Sequence, residues 1–287
     1  MSDLPLEPGE RLRGRYVIER IHRMGGLSTL YETIDLQSTR LYSRRAVKES
    51  LLDISDGWSV ETLSGLFNHR AKLLLGFNHP IIVPTVDFFV IGQRAYLVMD
   101  FVNGVDLEDV LLNQQKLRVD DVLEWGAHLC SALHYLHTHP KGPIIFRDMK
   151  PGNIIIRASG KPCLVDFGIS IVYKKGQFTA PLGTDGYAAP EQYGGGVTPL
   201  SDLYGLGATL HHTLTRHDPR LFPPFTFEKR PIRVANPSVT REQEAVIMKA
   251  LAYDEEERFQ SAADMLQALN KVIHKPVPVK DASSDDR

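Results

Sequence analysis

The sequence predicts an α+β chain in two lobes, a small antiparallel β lobe with one helix and a larger helical lobe. Short β-rich segments dominate from Tyr16 to Phe101, and long helical patterns follow them. One helical stretch, around residues 61–77, interrupts the β-rich part. We therefore expect an N-terminal segment at 1–11, the small lobe at 12–102, the larger lobe at 103–274 and a polar tail or linker at 275–287.

The strands of the small lobe are predicted at "YVIERI", "STLYETID", "RRAVKES", "TVDFFVIG" and "AYLVMDFV". At 100° per residue the helix between them places an apolar stripe toward the core, with Arg70 in its middle. The stripe consists of Leu63, Leu66, Phe67, Leu74 and Phe77. No acid occurs from Thr62 to Val86, and a buried unpaired charge is costly, so Arg70 needs a partner from elsewhere.

Four segments of the larger lobe carry helical periodicity. They are "VDDVLEWGAHLCSALHYLHTH", "SDLYGLGATLHHTL", "REQEAVIMKALAY" and "SAADMLQALNKVI". Two short apolar runs, "NIIIR" and "CLVDFG", flank "ASGK", which is typical of a hairpin.

Composition narrows the class of protein. The chain has 287 residues, of which 43% are hydrophobic and 24% charged, and a net charge of −2, so no basic field indicates nucleic acid or an anionic membrane surface as partner. The apolar runs are too short and too broken to span a membrane, and "MSDLPLEPGE" does not resemble a signal peptide, so we expect a cytoplasmic chain. Cys130 and Cys163 are expected to be buried thiols, and the histidine pairs 134/137 and 211/212 structural or surface residues.

Candidate chemistry begins with "FRDMKPGNIII", in which Asp148, Lys150 and Asn153 lie in one loop. An acid, a cation and an amide within six residues fit any polar turn. However, Asp166 of "VDFG" follows thirteen residues after Asn153, at the other end of the predicted hairpin. Two such oxygen donors suit Mg²⁺, which takes few protein ligands and completes its shell with phosphate and water.

The small lobe offers groups for phosphate. Lys48 is a cation in the middle of a predicted strand, where it needs an anion. The Gly25-Gly26 turn in "GGLSTLY" can bring backbone N–H groups close to phosphate oxygens.

The order of these motifs resembles the protein kinase family, specifically the bacterial eukaryotic-like (Hanks-type) Ser/Thr kinases. The motifs are the Gly-rich turn, the strand lysine, "RDMKPGN", "DFG" and "GTDGYAAPEQY", and the resemblance covers roughly residues 12–272. It implies a two-lobed protein-kinase-like fold. It also defines a catalytic loop, residues 146–153, and an activation segment, residues 166–191.

The resemblance implies a role for each matching residue. Asp148 orients the substrate hydroxyl, Lys150 steadies the γ-phosphate and Lys48 holds the other phosphates of ATP, while Mg²⁺ sits on Asn153 and Asp166. Further nucleotide contacts fall on Gly25, Gly26, Ser28, Leu30, Ala46, Met99, Asp100, Val102 and Ile155.

Structural contacts are implied as well. Glu191 should pair with Arg258, Asp202 should brace the catalytic loop, and Thr184 should contact Asp148 and Lys150. Arg147 suggests regulation by phosphorylation of the activation segment, with Thr179 as the first acceptor candidate and Ser170 as the next. Expected partners are ATP and a protein substrate, with a homodimer for autophosphorylation.

The chain departs from the family pattern at three positions. The Gly-rich turn lacks a further Gly, since "IHRMGG" carries His22, Arg23 and Met24 before the pair. Phe146 replaces a histidine at a packing position. Arg70 stands where a Glu should pair with Lys48, and two cations about 4 Å apart repel by roughly 4 kcal/mol at an effective dielectric of about 20.

We therefore expect Arg70 and Lys48 to avoid the usual paired geometry, either because the helix swings out or because Arg70 meets another anion, such as Asp166 or phosphate. In an alternative interpretation Arg70 extends to solvent. Three functions stay open: a Ser/Thr protein kinase, a pseudokinase that acts as scaffold or switch, and a small-molecule phosphotransferase. The long activation segment argues against the third, and the retained Asp148 and Asp166 favour the first.

Overall fold

The computed structural model describes residues 4–25, 28–38, 43–53, 57–113, 117–176, 178–274 and 276–278. The chain divides into two compact units. The first comprises residues 1–78 and 83–103, and the second comprises residues 79–82 and 104–287. The α+β fold class predicted from the sequence is confirmed.

The first unit is built on a six-stranded antiparallel sheet with strand order β1-β2-β3-β4-β6-β5. The strands are β1 (Arg11–Leu12), β2 (Tyr16–Met24), β3 (Ser28–Asp35), β4 (Arg44–Leu51), β5 (Thr85–Ile91) and β6 (Arg94–Asp100). Alternation along the strands sends one set of side chains into a core. This core contains Leu12, Tyr16, Ile18, Tyr31, Val47, Phe89, Tyr96 and Val98.

One helix, α1 (Val60–Leu74), packs beside β5 and β6. Ser59 caps its N-terminus by accepting a hydrogen bond from the backbone N–H of Thr62. The buried side chains of the helix are Ala71 and Leu74, and the ring of Phe67 lies edge-on to Phe88 of β5 at 6.3 Å.

The predicted stripe on this helix is wrong at one position, because Leu66 is 59% exposed. The buried side is centred on Phe67, Ala71 and Leu74, of which Ala71 is 1% and Leu74 4% exposed. At 100° per residue Arg70 then lies about 60° from this centre, on the flank of the buried side. Its side chain is half-buried, as a flanking position would produce.

The second unit is mainly helical. Its helices are α2 (Leu107–Leu112), α3 (Val119–His137), α4 (Pro199–Thr215), α5 (Ile232–Ala235), α6 (Arg241–Ala250) and α7 (Ala262–Asn270). The α3 and α4 helices form the centre of its core. Gly126 lets α3 pack closely against α4, because a Cβ there would lie 2.9 Å from the side chain of Leu210. The four helices predicted from periodicity are all present, whereas α2 and α5 were not anticipated.

Two small antiparallel sheets complete the second unit. One has the order β10-β9-β7 and contains β7 (Gly104–Asp106), β9 (Ile154–Arg157) and β10 (Pro162–Leu164). The other pairs β8 (Ile144–Ile145) with β11 (Ile171–Val172). The predicted hairpin is therefore confirmed as β9 and β10, with Ile154 opposite Leu164.

The described part of the expected tail, residues 276–278, is not a free linker. Val277 is 6% exposed, and its backbone N–H and C=O bond to the side chain of Asn270 at 2.9 and 2.8 Å. The short sequence pattern had suggested a solvated segment, but an apolar residue between two prolines packs against α7. Cys130 and Cys163 are buried free thiols, as expected.

Candidate functional site

The catalytic loop carries a closed network around the carboxylate of Asp148. Thr184 donates its hydroxyl to Oδ1 of Asp148 at 2.6 Å, and the Lys150 ammonium lies 2.9 Å from Oδ2. Lys150 also donates to the Thr184 hydroxyl at 2.7 Å, and Asn153 donates to Oδ2 of Asp148 at 2.9 Å. The contacts that the resemblance implied for Thr184 are therefore present. Each oxygen of Asp148 has a defined partner, which fixes the orientation of the carboxylate.

Asn153 and Asp166 lie at the open end of the β9–β10 hairpin. The backbone N–H of Val165 donates to the carbonyl of Asn153 at 2.9 Å, so Asp166 follows directly after the residue that pairs with Asn153. Asn153 uses its amide nitrogen to bind Asp148, which leaves its amide oxygen as the atom that can ligate a cation. Asp166 has a positive φ of 63° and accepts from the N–H of Gly168 at 3.0 Å.

These two residues fit a hard cation. An amide oxygen and a carboxylate at adjacent positions match the donors that Mg²⁺ takes when phosphate and water supply the remaining ligands. Among the described residues, no group of three or more His, Cys, Asp or Glu gathers to form a metal site. The fit therefore rests on the two oxygen donors alone.

Asp202, in the first turn of α4, holds the backbone of the catalytic loop through hydrogen bonds. It accepts hydrogen bonds from the backbone N–H of Phe146 at 2.8 Å and of Arg147 at 2.7 Å. The ring of His137 lies 2.8 Å from the same carboxylate. Buried in this way at 1% exposure, Asp202 has its charge satisfied by donors from two elements. The predicted contact of Asp202 is present, and His137 is structural, as expected.

Phe146, which stands where the family pattern has a histidine, packs against the start of the activation segment. Phe146 is fully buried, and its ring meets Phe167 edge-on at 5.0 Å. Such edge-to-face pairs stabilise beyond the area that they bury. The aromatic replacement thus preserves a packing contact between the two loops.

Arg147 is buried at 4% exposure and adopts a positive φ of 73°. Its guanidinium donates to the carbonyl of Ala180 at 2.6 Å and to that of Ile169 at 3.5 Å. Burial lowers its pKa, and its Nε has no hydrogen-bond partner among the described residues. The guanidinium therefore contacts the backbone of the residue that follows Thr179.

The two acceptor candidates differ in accessibility. Ser170 is 4% exposed and its hydroxyl donates to the carbonyl of Phe146 at 3.3 Å, so it is buried beneath the segment. Thr179 is half-buried, and both its N–H and its hydroxyl bond to the carbonyl of Gly195. Of the two, Thr179 is nearer to the surface.

The end of the activation segment is anchored by a buried ion pair. Arg258, with a fully buried side chain, lies 2.8 and 3.0 Å from the two carboxylate oxygens of Glu191. The same guanidinium donates to the carbonyls of Ala252 and Tyr253, and Ser201 donates to Glu191 at 2.7 Å. This bidentate pair, implied by the resemblance, is therefore present and fully hydrogen-bonded.

In the first unit, the predicted nucleotide-binding side chains share one face of the sheet. Lys48 of β4 lies opposite Leu30 of β3 and Leu97 of β6, and Ala46 lies opposite Met99. Residues directly opposite each other, and those two apart on one strand, point to the same side. The sheet therefore places the side chains of Leu30, Ala46, Lys48 and Met99 on one face.

The Gly-rich turn joins β2 to β3, and its first residue, Gly25, donates its N–H to the carbonyl of Ser28 at 2.8 Å. Gly26 lies outside the described residues. At the end of β6, the N–H of Asp100 donates to the carbonyl of Pro84 at 3.0 Å. Val102 follows as a half-buried residue, and Ile155 lies on β9 in the second unit, opposite Cys163.

A family model described as "Protein kinase domain" matches residues 24–275. The chain belongs to the protein kinase family. It is similar to serine/threonine-protein kinase PknB of Mycobacterium tuberculosis, with 33% identity across 91% of this chain. It is 31% identical to a probable serine/threonine-protein kinase of Streptomyces coelicolor, also over 91% of this chain, and 34% identical to serine/threonine-protein kinase C of a Synechocystis strain over 91%.

The match covers this kinase chain more fully than it covers those relatives. It spans 43% of the Mycobacterium protein, 40% of the Streptomyces protein and 50% of the Synechocystis protein. A solved structure titled "PpkA-294 apo form" matches with a TM-score of 0.71 and 25% identity, covering 92% of this chain and 99% of that one. None of the helices in the part of the kinase that the structure describes is long and apolar enough to cross a membrane.

Sequence reasoning missed two parts of this kinase site. Gln192 bonds the catalytic loop to the activation segment, and it was visible only as part of "GTDGYAAPEQY". Gly195 has a positive φ of 75°, and its backbone lies directly against that of Thr179, so a side chain there would collide with Thr179. The run "GGG" at 194–196 was the available signal.

Proposed function

We propose that this chain is a Ser/Thr protein kinase that transfers the γ-phosphate of ATP to a protein hydroxyl. One observation carries the proposal, namely the network in which the carboxylate of Asp148 is held by Thr184, Lys150 and Asn153 within 2.9 Å. A carboxylate fixed in this way can orient a substrate hydroxyl and accept its proton. Lys150, on the same network, can neutralise charge on the γ-phosphate.

The remaining roles follow from the residues around this network. Asn153 and Asp166 would hold Mg²⁺, which supplies positive charge against the phosphate oxygens. Lys48 would hold the α- and β-phosphates, and backbone N–H groups of the Gly-rich turn at Gly25 and Ser28 would contribute further phosphate contacts. Leu30, Ala46 and Met99 of the first unit would contact adenine, and Asp100 and Val102 would bind its edge through their backbone.

The second candidate is a pseudokinase that binds nucleotide or a partner protein as scaffold or switch. Arg70 favours it, because α1 carries a cation where the family pattern has the acid that pairs with Lys48. We expect Arg70 to meet an anion other than an acid of its own helix, since Glu61 lies nine residues earlier on α1.

Phosphate transfer from labelled ATP to a protein substrate and to the chain itself separates these candidates. Asp148→Asn should lower the transfer rate by about 10²- to 10⁴-fold, as loss of a general base does, whereas Asp109→Asn, an exposed acid on α2, should leave it unchanged. If transfer were absent or did not depend on Asp148, the pseudokinase would be the better assignment. Faster transfer by Arg70→Glu would show that the missing acid limits the rate.

We also propose that phosphorylation of Thr179 regulates the enzyme. Support comes from the buried guanidinium of Arg147, which contacts the next carbonyl, that of Ala180, and has an unpaired Nε. A phosphate on Thr179 would give this charge a partner of opposite sign. A homodimer in which one copy phosphorylates the other would supply the modification, and Ser170 would become accessible only if the segment opened.

A further inference from the structure

The side chain of Gln192 joins separate parts of the second unit. It is the third residue of the 3₁₀ helix Pro190–Gly194, and it is 3% exposed. Its Nε2 donates to the carbonyl of Arg147 and to that of Leu182, both at 3.1 Å. Its Oε1 accepts from the N–H of Ala189 at 3.1 Å. All of the hydrogen-bonding groups of this buried amide thus have partners on the backbone.

These partners are distant from one another in sequence. Arg147 directly precedes Asp148, and Leu182 lies two residues before Thr184, whose hydroxyl binds Asp148. The two bonds from Nε2 therefore fix the catalytic loop to the part of the activation segment that carries Thr184. Ala189 fixes the amide itself at the start of the helix.

The hydrogen bond from Gln192 to Arg147 restrains a backbone conformation that is energetically unfavourable. Arg147 has a φ of 73°, a region that residues other than glycine adopt only when their surroundings enforce it. Asp202 binds the N–H of Arg147 and Gln192 binds its C=O, so both peptide groups of the residue are restrained. The second of these peptide groups leads directly into Asp148.

A glycine provides the space for the amide. A Cβ on Gly183 would lie 2.9 Å from Nε2 of Gln192 and 3.0 Å from the Cβ of Ala188. The activation segment therefore passes the amide of Gln192 at a glycine, which has no Cβ to contact it.

We propose that Gln192 is a positioning residue, which holds Asp148 and Thr184 in register by binding the carbonyls of Arg147 and Leu182. The assignment rests on the proposed kinase function for its consequence in catalysis. It is distinct from that function because Gln192 touches neither reacting group.

Gln192→Met keeps the size of the side chain and removes the donors and the acceptor. We expect it to lower kcat for the protein substrate by about 100-fold, the size of loss that small displacements of reacting groups produce, with the KM for ATP unchanged. Amide hydrogen exchange at residues 180–186 should become faster, because the segment loses its anchor.

Gln243→Met is the matched control. Gln243 is also a buried third residue of its helix, bonded to the N–H of Thr240 and the carbonyl of Val272, but it lies in α6. It should lower the melting temperature to a similar extent while kcat and exchange at residues 180–186 stay within about threefold of the wild-type values. A Gln192→Met enzyme with kcat within threefold of wild type, unchanged exchange at 180–186, or equal losses in both variants would overturn the assignment.

Gln192→Glu gives an independent readout, including for the case that Gln192→Met does not fold. A carboxylate would face two carbonyl oxygens and repel them, whereas the protonated acid could again donate to one. Its kcat relative to wild type should therefore rise as pH falls from 8 to 6, and that of Gln243→Glu should not. A ratio independent of pH would contradict the role of Gln192.

The proposed function and this inference can fail separately. If the wild-type chain transferred no phosphate in an Asp148-dependent manner, the kinase proposal would fail. Hydrogen exchange at residues 180–186 would then decide whether Gln192 anchors the segment, since faster exchange only in Gln192→Met supports the anchor and equal exchange refutes it.

Discussion

Two neighbouring histidines on α4 should make the second unit sensitive to acid. His211 is fully buried, and its Nε2 lies 2.8 Å from the carbonyl of Arg230, to which it must donate. His212 is 6% exposed, and its Nδ1 lies 2.7 Å from the hydroxyl of Tyr187. Burial lowers the pKa of each from its usual 6.5 to about 4. Both rings are therefore neutral in the folded state over most of the accessible pH range.

The sign and size of the effect follow from this difference in pKa. Above pH 6.5 the histidines are neutral in both states, so they do not affect stability. Below it the unfolded chain takes up protons that the folded chain refuses, and stability falls until about pH 4. At pH 5 each histidine costs about 2 kcal/mol, or about 4 kcal/mol together, against a typical total of about 5 to 15 kcal/mol.

Urea unfolding between pH 8 and pH 5 measures this loss. In a Trp58→Phe background, fluorescence of the remaining Trp125, which is buried in α3, reports on the second unit. The double variant His211→Gln/His212→Asn keeps the donor and acceptor positions without a titrating ring, so it should lose about 4 kcal/mol less than wild type on acidification.

An exposed histidine of α1 provides the control. His69→Gln should reproduce the wild-type pH dependence, because its ring is solvated in both states. Parallel pH profiles of wild type and the double variant, within about 1 kcal/mol, would refute the assignment of acid sensitivity to these two buried rings.

Three further outcomes are expected. Glu191→Ala should destabilise the protein by about 3 to 5 kcal/mol in urea unfolding, because Arg258 is left buried without its partner; a loss below about 1 kcal/mol would count against the pair. After incubation with ATP, Thr179→Ala should transfer phosphate about tenfold more slowly than the autophosphorylated wild type, because it lacks the free energy of about one charge-assisted hydrogen bond. Equal rates in the two proteins would argue against regulation at this site. Gly195→Ala should lower the melting temperature, whereas Gly194→Ala, with no atom within 4 Å of its added Cβ, should not.

Hairpin spacing was enough to predict from sequence that one pair of candidate residues lies together. The resemblance named Leu30, Ala46 and Lys48 as nucleotide contacts, and the register of β3 and β4 in the structure puts their side chains on one face of the sheet. A hairpin brings its ends together whatever its side chains do, so Asn153 and Asp166 were expected to be neighbours. The hairpin argument depends only on local chain connectivity, whereas the shared face depends on the register between two strands.

The helical wheel was less reliable for α1. It predicted Leu66 in the buried stripe and Arg70 at its centre, whereas Ala71 is buried and Leu66 is exposed. Hydrophobicity alone ranks leucine above alanine, but close packing of a helix on a sheet favours a small residue at the line of contact. The rotation of a helix about its axis is thus decided by the surface on which it packs.

By itself, the sequence determined the fold class and the order of the motifs, because these follow from local periodicity and from the linear order of residues. The resemblance carried by those motifs then named the residues proposed for phosphoryl transfer. Only the tertiary structure decided which backbone groups the buried polar side chains bind. Gln192 reaches carbonyls 45 and 10 residues away, and Val277 packs seven residues back against Asn270. Such contacts depend on where distant segments meet once the chain has folded, and no local pattern records that meeting.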